Sequence, residues 1–238
     1  MIEPLSSSAI LQEMGISPLW VLKSARLDAM NAAAMNAVAN SSEPSFDPAV
    51  SEDQRDAWSV LQKQISDCQR CALSQHRHQA VIGLGDKHPQ YLFIGEAPGA
   101  EEDAQGEPFV GEAGVLLDSM LKSLGLKRGE GVYMANTVKC RPPGNRTPEA
   151  GEIAACKPFL LKQIELLSPK RIVLLGKSAV HSVLGDEKPL AQLRQQRFCF
   201  GEIPVVVTYH PGYLLHHLPD KAKAWEDLLF ARRCLLAG

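Results

Sequence analysis

The 238-residue chain has little net charge, no internal repeat and no long apolar run. None of its apolar runs reaches the roughly 18 residues that a membrane-spanning helix needs. The opening MIEPLSSSAIL lacks the basic start and long apolar core of a signal peptide. The expectation is therefore a soluble, cytoplasmic protein with no membrane partner. A net charge of −2 argues neither for nor against nucleic acid, because a local basic groove fits inside a near-neutral total. The stretch GEAPGAEEDAQGEPFVGEAG (95–114) is rich in glycine and acid. No Gly-Lys-Ser/Thr follows it at the spacing of a P-loop, which excludes that kind of phosphate cradle. What is present is 45% hydrophobic residues, enough for one good-sized core with an appendage.

Six cysteines in such a chain do not suggest disulfides. Cys68 and Cys71 form a C-x2-C pair, Cys140 sits in the rigid basic loop KCRPPGNRTP, and Cys156 lies in the helix predicted after it. Sulfur ligands come in fours for zinc or an iron–sulfur cluster, and spacing alone does not separate the two. A metal here would tie an N-terminal helix to the core and fix the loop. Cys199 in RFCF and Cys234 in RRCLL stand in apolar settings that suit buried structural thiols.

Residues 1–50 read as an appendage: a short apolar-aromatic docking element, then a small, polar, flexible linker. The domain, residues 51–238, begins with the helical pattern QRDAWSVLQKQISDC and then alternates strand and helix. Strands are predicted over 90–94, 132–139 and 171–176, and helices over 113–126, 148–167, 177–185 and 221–236. RFCF (197–200) and IPVVVTYH (203–210) read as a hairpin pair. That alternation predicts an α/β fold with a mainly parallel sheet covered on both faces. Ligands of open α/β sheets bind beyond the carboxyl ends of the strands. Glu96, Asn136, Gly176 and His210 all lie at such ends, so they are expected to converge although they are far apart in sequence.

GEAPGAEED, GEPFVGEAG, NTVKCRPPGNRTP and TYHPGYLL, with the four cysteines in this order, resemble the family 4 uracil-DNA glycosylases, the iron–sulfur members of their superfamily. The resemblance covers roughly residues 55 to 236. It implies a three-layer α/β/α sandwich around a mainly parallel four-stranded sheet, removal of uracil from single- or double-stranded DNA, and a structural [4Fe–4S] cluster on Cys68, Cys71, Cys140 and Cys156. A base inside a duplex is out of reach, so such an enzyme flips it into a pocket. The glycine-rich loop would then hold a base and its sugar.

The resemblance implies a task for each motif residue. Phe109 would stack on the uracil ring. The Asn136 amide would pair with uracil O4 and N3–H and reject cytosine, which inverts that pattern. His210 would donate to O2 as negative charge develops there. Glu96 would orient or activate the attacking water and balance the positive sugar. Ala97 and Gly99 line the base site, with Ala97 standing where other branches carry Asp or Asn. Glu102 would crowd the uracil C5 position and exclude the thymine methyl. Lys139, Arg141, Arg146 and Lys177 are expected on DNA phosphates. Leu214 or Leu215, with Tyr213 beside them, would enter the duplex as an apolar wedge.

Gly212-Tyr213 and His216-His217 depart from the small and basic residues that relatives carry there. The two histidines read as structural or rim residues. No histidine-bearing basic insertion follows Cys140, so turnover is expected, not covalent trapping of DNA. AILQEMGISPLWVLK resembles the start of the small psi subunit of bacterial DNA polymerase III, which would make residues 1–45 a tether to replication or single-strand-binding machinery. The chain is otherwise expected to be a monomer. A glycosylase with a broader range of deaminated bases, and a lesion-binding protein that does not cleave, are the alternative functions.

Overall fold

The computed structural model describes residues 52–236, with side chains from 57 to 233. The N-terminal extension, its linker and its expected partner therefore lie outside the described residues, as does the Cys234 side chain. The described part belongs to the second of two units into which the chain divides, Val50–Gly238.

Six strands form one sheet in the order β1-β3-β2-β4-β6-β5. They are β1 (Leu84–Gly85), β2 (Tyr91–Gly95), β3 (Val132–Asn136), β4 (Ile172–Leu175), β5 (Phe198–Phe200) and β6 (Ile203–Thr208). The central four, β3-β2-β4-β6, are parallel, and β1 and β5 pair antiparallel at the two edges. The four-stranded expectation thus describes the parallel centre, while the whole sheet is mixed and wider. β1 has two residues, too few to show any alternation in the sequence.

Every residue of β2, β3 and β4 is buried, as parallel strands covered on both faces must be. Alternate side chains feed two separate cores. Leu92, Ile94, Tyr133 and Leu174 pack against α4 (Ala150–Leu167) and α5 (Lys177–Leu184). Tyr91, Phe93, Met134 and Val173 pack against α3 (Glu112–Ser123) and α8 (Asp220–Leu236). The expected three layers follow from this period of two. A third cluster joins α1 (Glu52–Ser66) to α4 through Leu61, Ile65, Ile153 and Phe159, around Cys140 and Cys156. Cys199 departs from its expectation. It is exposed, because on the edge strand β5 the neighbouring Phe198 and Phe200 take the inward positions.

Three short helices escape the sequence pattern: α2 (Ala100–Gln105), α6 (Leu190–Leu193) and α7 (Pro211–His216). Two of them flank the carboxyl ends of the parallel strands, where the chain turns back across the sheet. No described helix is long and apolar enough to cross a membrane.

Candidate active site

A cleft of about 490 Å³ opens beyond the carboxyl ends of β2, β3 and β6, and Glu96, Ala97, Gly99, Phe109, Asn136 and His210 all line it. Residues 96 to 210 thus meet as the strand-end argument requires. Their geometry is held by a few backbone devices.

The first device is the Glu102 carboxylate. One oxygen accepts from the Gly99 N–H at 2.9 Å, and the other accepts from Val110 and Gly111 N–H at 3.0 and 3.1 Å. This supplies the glutamate half of a capping box at the start of α2, whose N-cap Gly99 has no side chain of its own, and draws the Phe109 loop onto the helix. Glu102 does line the cleft. Its oxygens, however, are engaged with three backbone donors, so its part is to shape the loop; the sequence offered only the Glu at the third helical position as a hint. Asp103, 1% exposed, does the same on the other side, accepting from His78 N–H with both oxygens.

Phe109 is the second device. Its φ of 57° lies in the left-handed region, a conformation that costs a non-glycine residue ~1–3 kcal/mol and that clusters at functional sites. Arg128 compensates by donating to the Pro108 and Phe109 carbonyl oxygens at 2.9 and 2.7 Å, while also pairing with Asp118 at 3.0 Å. Gly114 is required behind it, because a Cβ there would sit 1.7 Å from the Phe109 oxygen. Gly95 is required in front, where a Cβ would meet Asn136 Oδ1 at 2.5 Å and Phe109 Cζ at 2.6 Å. Nothing in the sequence marked Arg128, since its use depends on a turn brought in from another segment.

Asn136 ends β3 with its residue 2% exposed, and Oδ1 has no hydrogen-bond partner. A buried acceptor without a partner is uncommon and costs about 1–3 kcal/mol, so it marks a place where a ligand donor fits.

His210 caps α7, with Nδ1 accepting from the Gly212 N–H at 3.1 Å. The ring proton is therefore on Nε2. Burial pushes the His210 pKa down to about 4, against the opposing pull of the Glu102 carboxylate. At neutral pH the side chain is an uncharged imidazole with a fixed tautomer and one donor. Its ring centroid lies 6.0 Å from that of Phe109. Gly176, at φ 88°, brings the end of β4 against it, where a Cβ would lie 3.1 Å from His210 Cβ. Ser178, in the first turn of α5, donates its Oγ to Glu96 Oε2. It fixes one carboxylate oxygen of Glu96 and leaves the other for a further partner. Ser178 was not singled out in the sequence, although it follows the Gly-Lys that starts the helix.

The expected DNA-contact residues divide. Lys177 is exposed at the start of α5, and Arg146 lines the cleft but forks onto Glu152 at 2.9 and 2.7 Å. Arg141 is half-buried and donates to Asn145 Oδ1 at 2.7 Å. Lys139 is a correction. It is 1% exposed, and its Nζ donates inward to the Asn136 carbonyl at 2.8 Å, so it offers nothing to a phosphate. Leu214 is another, at 0% exposure inside the protein, because the segment is a helix whose fourth residue faces inward. Leu215 is half-buried, and His216 is exposed on the cleft rim. Leu218, 60% exposed, is the leucine of this segment that reaches solvent most.

Cys68, Cys71, Cys140 and Cys156 line one pocket, 15 residues or more apart in the chain except for the C-x2-C pair, as the paired-cysteine reading expects. Arg77 donates to Cys140 Sγ at 3.0 Å and also to the Ser66 and Cys68 carbonyls. Burial pushes the Cys140 thiol up to about 11 and the Cys156 thiol up as well, while Arg77 and Lys139 respectively pull them back toward thiolate. Among the described residues no trio of His, Cys, Asp or Glu is gathered to hold a single metal ion. The four cysteines line one space together with Ile65 and Phe159, and Arg77 and Lys139 lie against Cys140 and Cys156 respectively. That donor set suits an anionic sulfur-ligated body larger than one ion.

A family model described as the uracil DNA glycosylase superfamily matches residues 82–229. The chain is similar to a type-4 uracil-DNA glycosylase of Pyrobaculum aerophilum, 39% identical over 178 residues, covering 71% of this chain and 89% of that protein. It is also similar to a type-4 uracil-DNA glycosylase of Thermotoga maritima, 40% identical over 166 residues, covering 69% of this chain and 86% of that protein. A type-5 uracil-DNA glycosylase of Thermus thermophilus matches less of it, 36% identical over 119 residues, covering 44% of this chain and 53% of that protein.

Proposed function

The chain belongs to the type-4 uracil-DNA glycosylases, and on that footing we propose that it excises uracil from DNA by hydrolysing the N-glycosidic bond. The observation that carries this reading is the unpartnered Asn136 Oδ1, set beside Phe109 and His210 in a cleft with room for a base and its sugar. A flipped uracil offers N3–H to that oxygen and O4 to the adjoining NH2, while cytosine presents an acceptor and a donor the wrong way round. Phe109 would take the ring face.

His210 Nε2–H would donate to uracil O2. As the C1′–N1 bond breaks, its electron pair passes to the base, and the donation strengthens with the charge on O2. A neutral imidazole does this without giving up its proton. Glu96, held on one oxygen by Ser178, would use the other to accept a hydrogen bond from the attacking water and to face the positive sugar. Water oxygen bonds to C1′, its proton leaves through Glu96, and the uracil anion is neutralised from solvent. Arg141, Arg146, Lys177 and the Gly/Pro loop N–H groups would contact phosphates. Leu218 takes over the wedge role from Leu214.

Cys68, Cys71, Cys140 and Cys156 would hold a [4Fe–4S] cluster, supported by the shared pocket and the cations against the sulfurs. When bound, such a cluster would supply a covalent tie between the segment that follows α1, the 140–146 loop and α4.

The test is release of free uracil from a single-uracil oligonucleotide by the purified full chain. Release from uracil but not from cytosine, sharply slowed in Glu96→Ala and His210→Ala, is the expected result. Binding without release would overturn it in favour of a lesion-binding protein, and release of hypoxanthine or xanthine at similar rates would overturn the narrow specificity.

A further inference from the structure

α7 is a shared wall. It begins at His210, turns Gly212 and His216 to the cleft, and buries Leu214 on its inner side. Its outer side carries a column of rings for which the chemistry above has no use. Tyr209 and Tyr213 stack with centroids 5.2 Å apart and planes within 15°, and Tyr213 and His217 stack at 3.9 Å and 7°. The middle ring is fixed by Tyr213 Oη donating to Asp220 at 2.8 Å. The outer ring is fixed by His217 Nδ1, which donates to the Tyr213 carbonyl 3.2 Å away. At the inner end the Arg194 guanidinium lies over the Tyr209 ring at 5.2 Å, itself tied to Asp227 at 2.7 Å. At the outer end His217 is exposed, and Tyr213 is 39% exposed. Three stacked, near-parallel rings, two of them fixed by hydrogen bonds, closed by a cation at one end and ending in an exposed ring at the other, form a surface prepared for one more flat ring.

We propose that the His217–Tyr213 column is a stacking platform for the DNA base next to the flipped uracil. This rests on the glycosylase reading, since its position beside the cleft is what assigns the occupant: the helix that presents His210 to the uracil presents the outer ring of the platform, His217, about two turns further on. The neighbouring base loses a stacking partner when the uracil leaves the duplex, and a fixed ring column replaces it with little ordering cost on the protein side. Base–ring stacking of this kind is worth ~1–3 kcal/mol and tolerates any base. The contact would therefore raise affinity without selecting sequence. It would also work on a single strand, where a wedge has no opposite base to displace.

The experiment uses the full chain with its cluster and an oligonucleotide carrying 2′-fluoro-deoxyuridine, whose glycosidic bond resists hydrolysis, with 2-aminopurine placed on either side in turn. In the wild type, binding should quench the 2-aminopurine on one side. His217→Ala should abolish the quenching and weaken binding about 5- to 150-fold. His217→Phe, which keeps a flat ring, should restore both, and His217→Lys, which keeps only a cation, should restore neither. No loss in His217→Ala, rescue by Lys, or failure of Phe to rescue would each overturn the platform. Uracil release from an ordinary uracil oligonucleotide is measured alongside. Release by the wild type with failed Phe rescue removes the platform alone. Ring-dependent binding without release removes the glycosylase reading alone, and neither binding nor release removes both.

Discussion

The cleft and the cysteine pocket are built from the same stretch of chain, yet they are finished in opposite ways. Asn136 opens the segment in the cleft, Cys140 turns into the sulfur pocket, and Pro142, Asn145 and Arg146 return to the cleft wall. In the cleft the arrangement leaves a buried acceptor without a partner, a strained Phe109 and a carboxylate with one oxygen still open. In the sulfur pocket Cys140 and Cys156 are buried beside Ile65 and Phe159, and both thiols already have cations beside them. Lys139 joins the two, reaching back to the Asn136 carbonyl while lying beside Cys156. A group awaiting a ligand that comes and goes is left incomplete. The thiols are instead already provided with charged partners.

The sharpest way to break this contrast is to attack the sulfur side. Cys140→Ala should leave Lys139 and Arg77 facing an incomplete anion and unmoor the 140–146 loop. The expected outcome is loss of iron, of colour and of most folded protein, read by iron analysis and by circular dichroism. Changes on the open side should leave folding intact and strike the rate. Glu96→Gln should lower kcat for uracil release about 10²- to 10⁴-fold, with the melting temperature held. His210→Ala should cost about 10²- to 10³-fold in kcat.

The pH dependence of the wild type follows from His210. Its folded pKa of about 4 lies below the ordinary 6.5 of the unfolded chain, so the unfolded state binds more protons between those values. The His210 contribution to stability is complete above pH 6.5 and is lost as the pH falls toward 4. The donor role needs no proton from solution, so this residue should leave kcat flat from pH 8 to 5. A loss of rate centred on pH 6.5 that vanishes in His210→Ala would show the imidazole titrating as though exposed.

Asn136→Ala should reduce kcat/KM for uracil about 5- to 150-fold, the worth of the paired amide, and narrow the gap to cytosine. Ser178→Ala should have the smallest effect, a fall in kcat of about 10-fold or less with KM unchanged, because water can replace one hydrogen bond to Glu96. An equal fall in stability and rate would instead make Ser178 a packing residue.

The parallel strands were legible because β2, β3 and β4 are runs of apolar residues bounded by turns, and the strand-end rule then placed Glu96, Asn136 and His210 together. The four cysteines were legible because cysteine is scarce and its pairing regular. What escaped shares a cause: its meaning depends on what the fold brings near. A six-residue helix such as α2 or α7 is too short to show a period, so Leu214 read as a free wedge and is core. Lys139 read as a surface cation because lysine usually is one; two thiols and a carbonyl make its burial tolerable. Glu102 read as a wall against a methyl group, and three backbone donors from two loops have claimed it. Arg128 had no signal at all, because what ties it to the cleft is two backbone carbonyls.

Arg128 also bears on how variation in this enzyme should be interpreted. The residue sits on an outer turn and pairs with Asp118, in a place where a change is ordinarily dismissed as neutral. Yet it clamps the backbone of Phe109 from behind. A substitution found there in a mutator strain would register in the genome as uncorrected cytosine deamination, although the altered residue does not line the cleft.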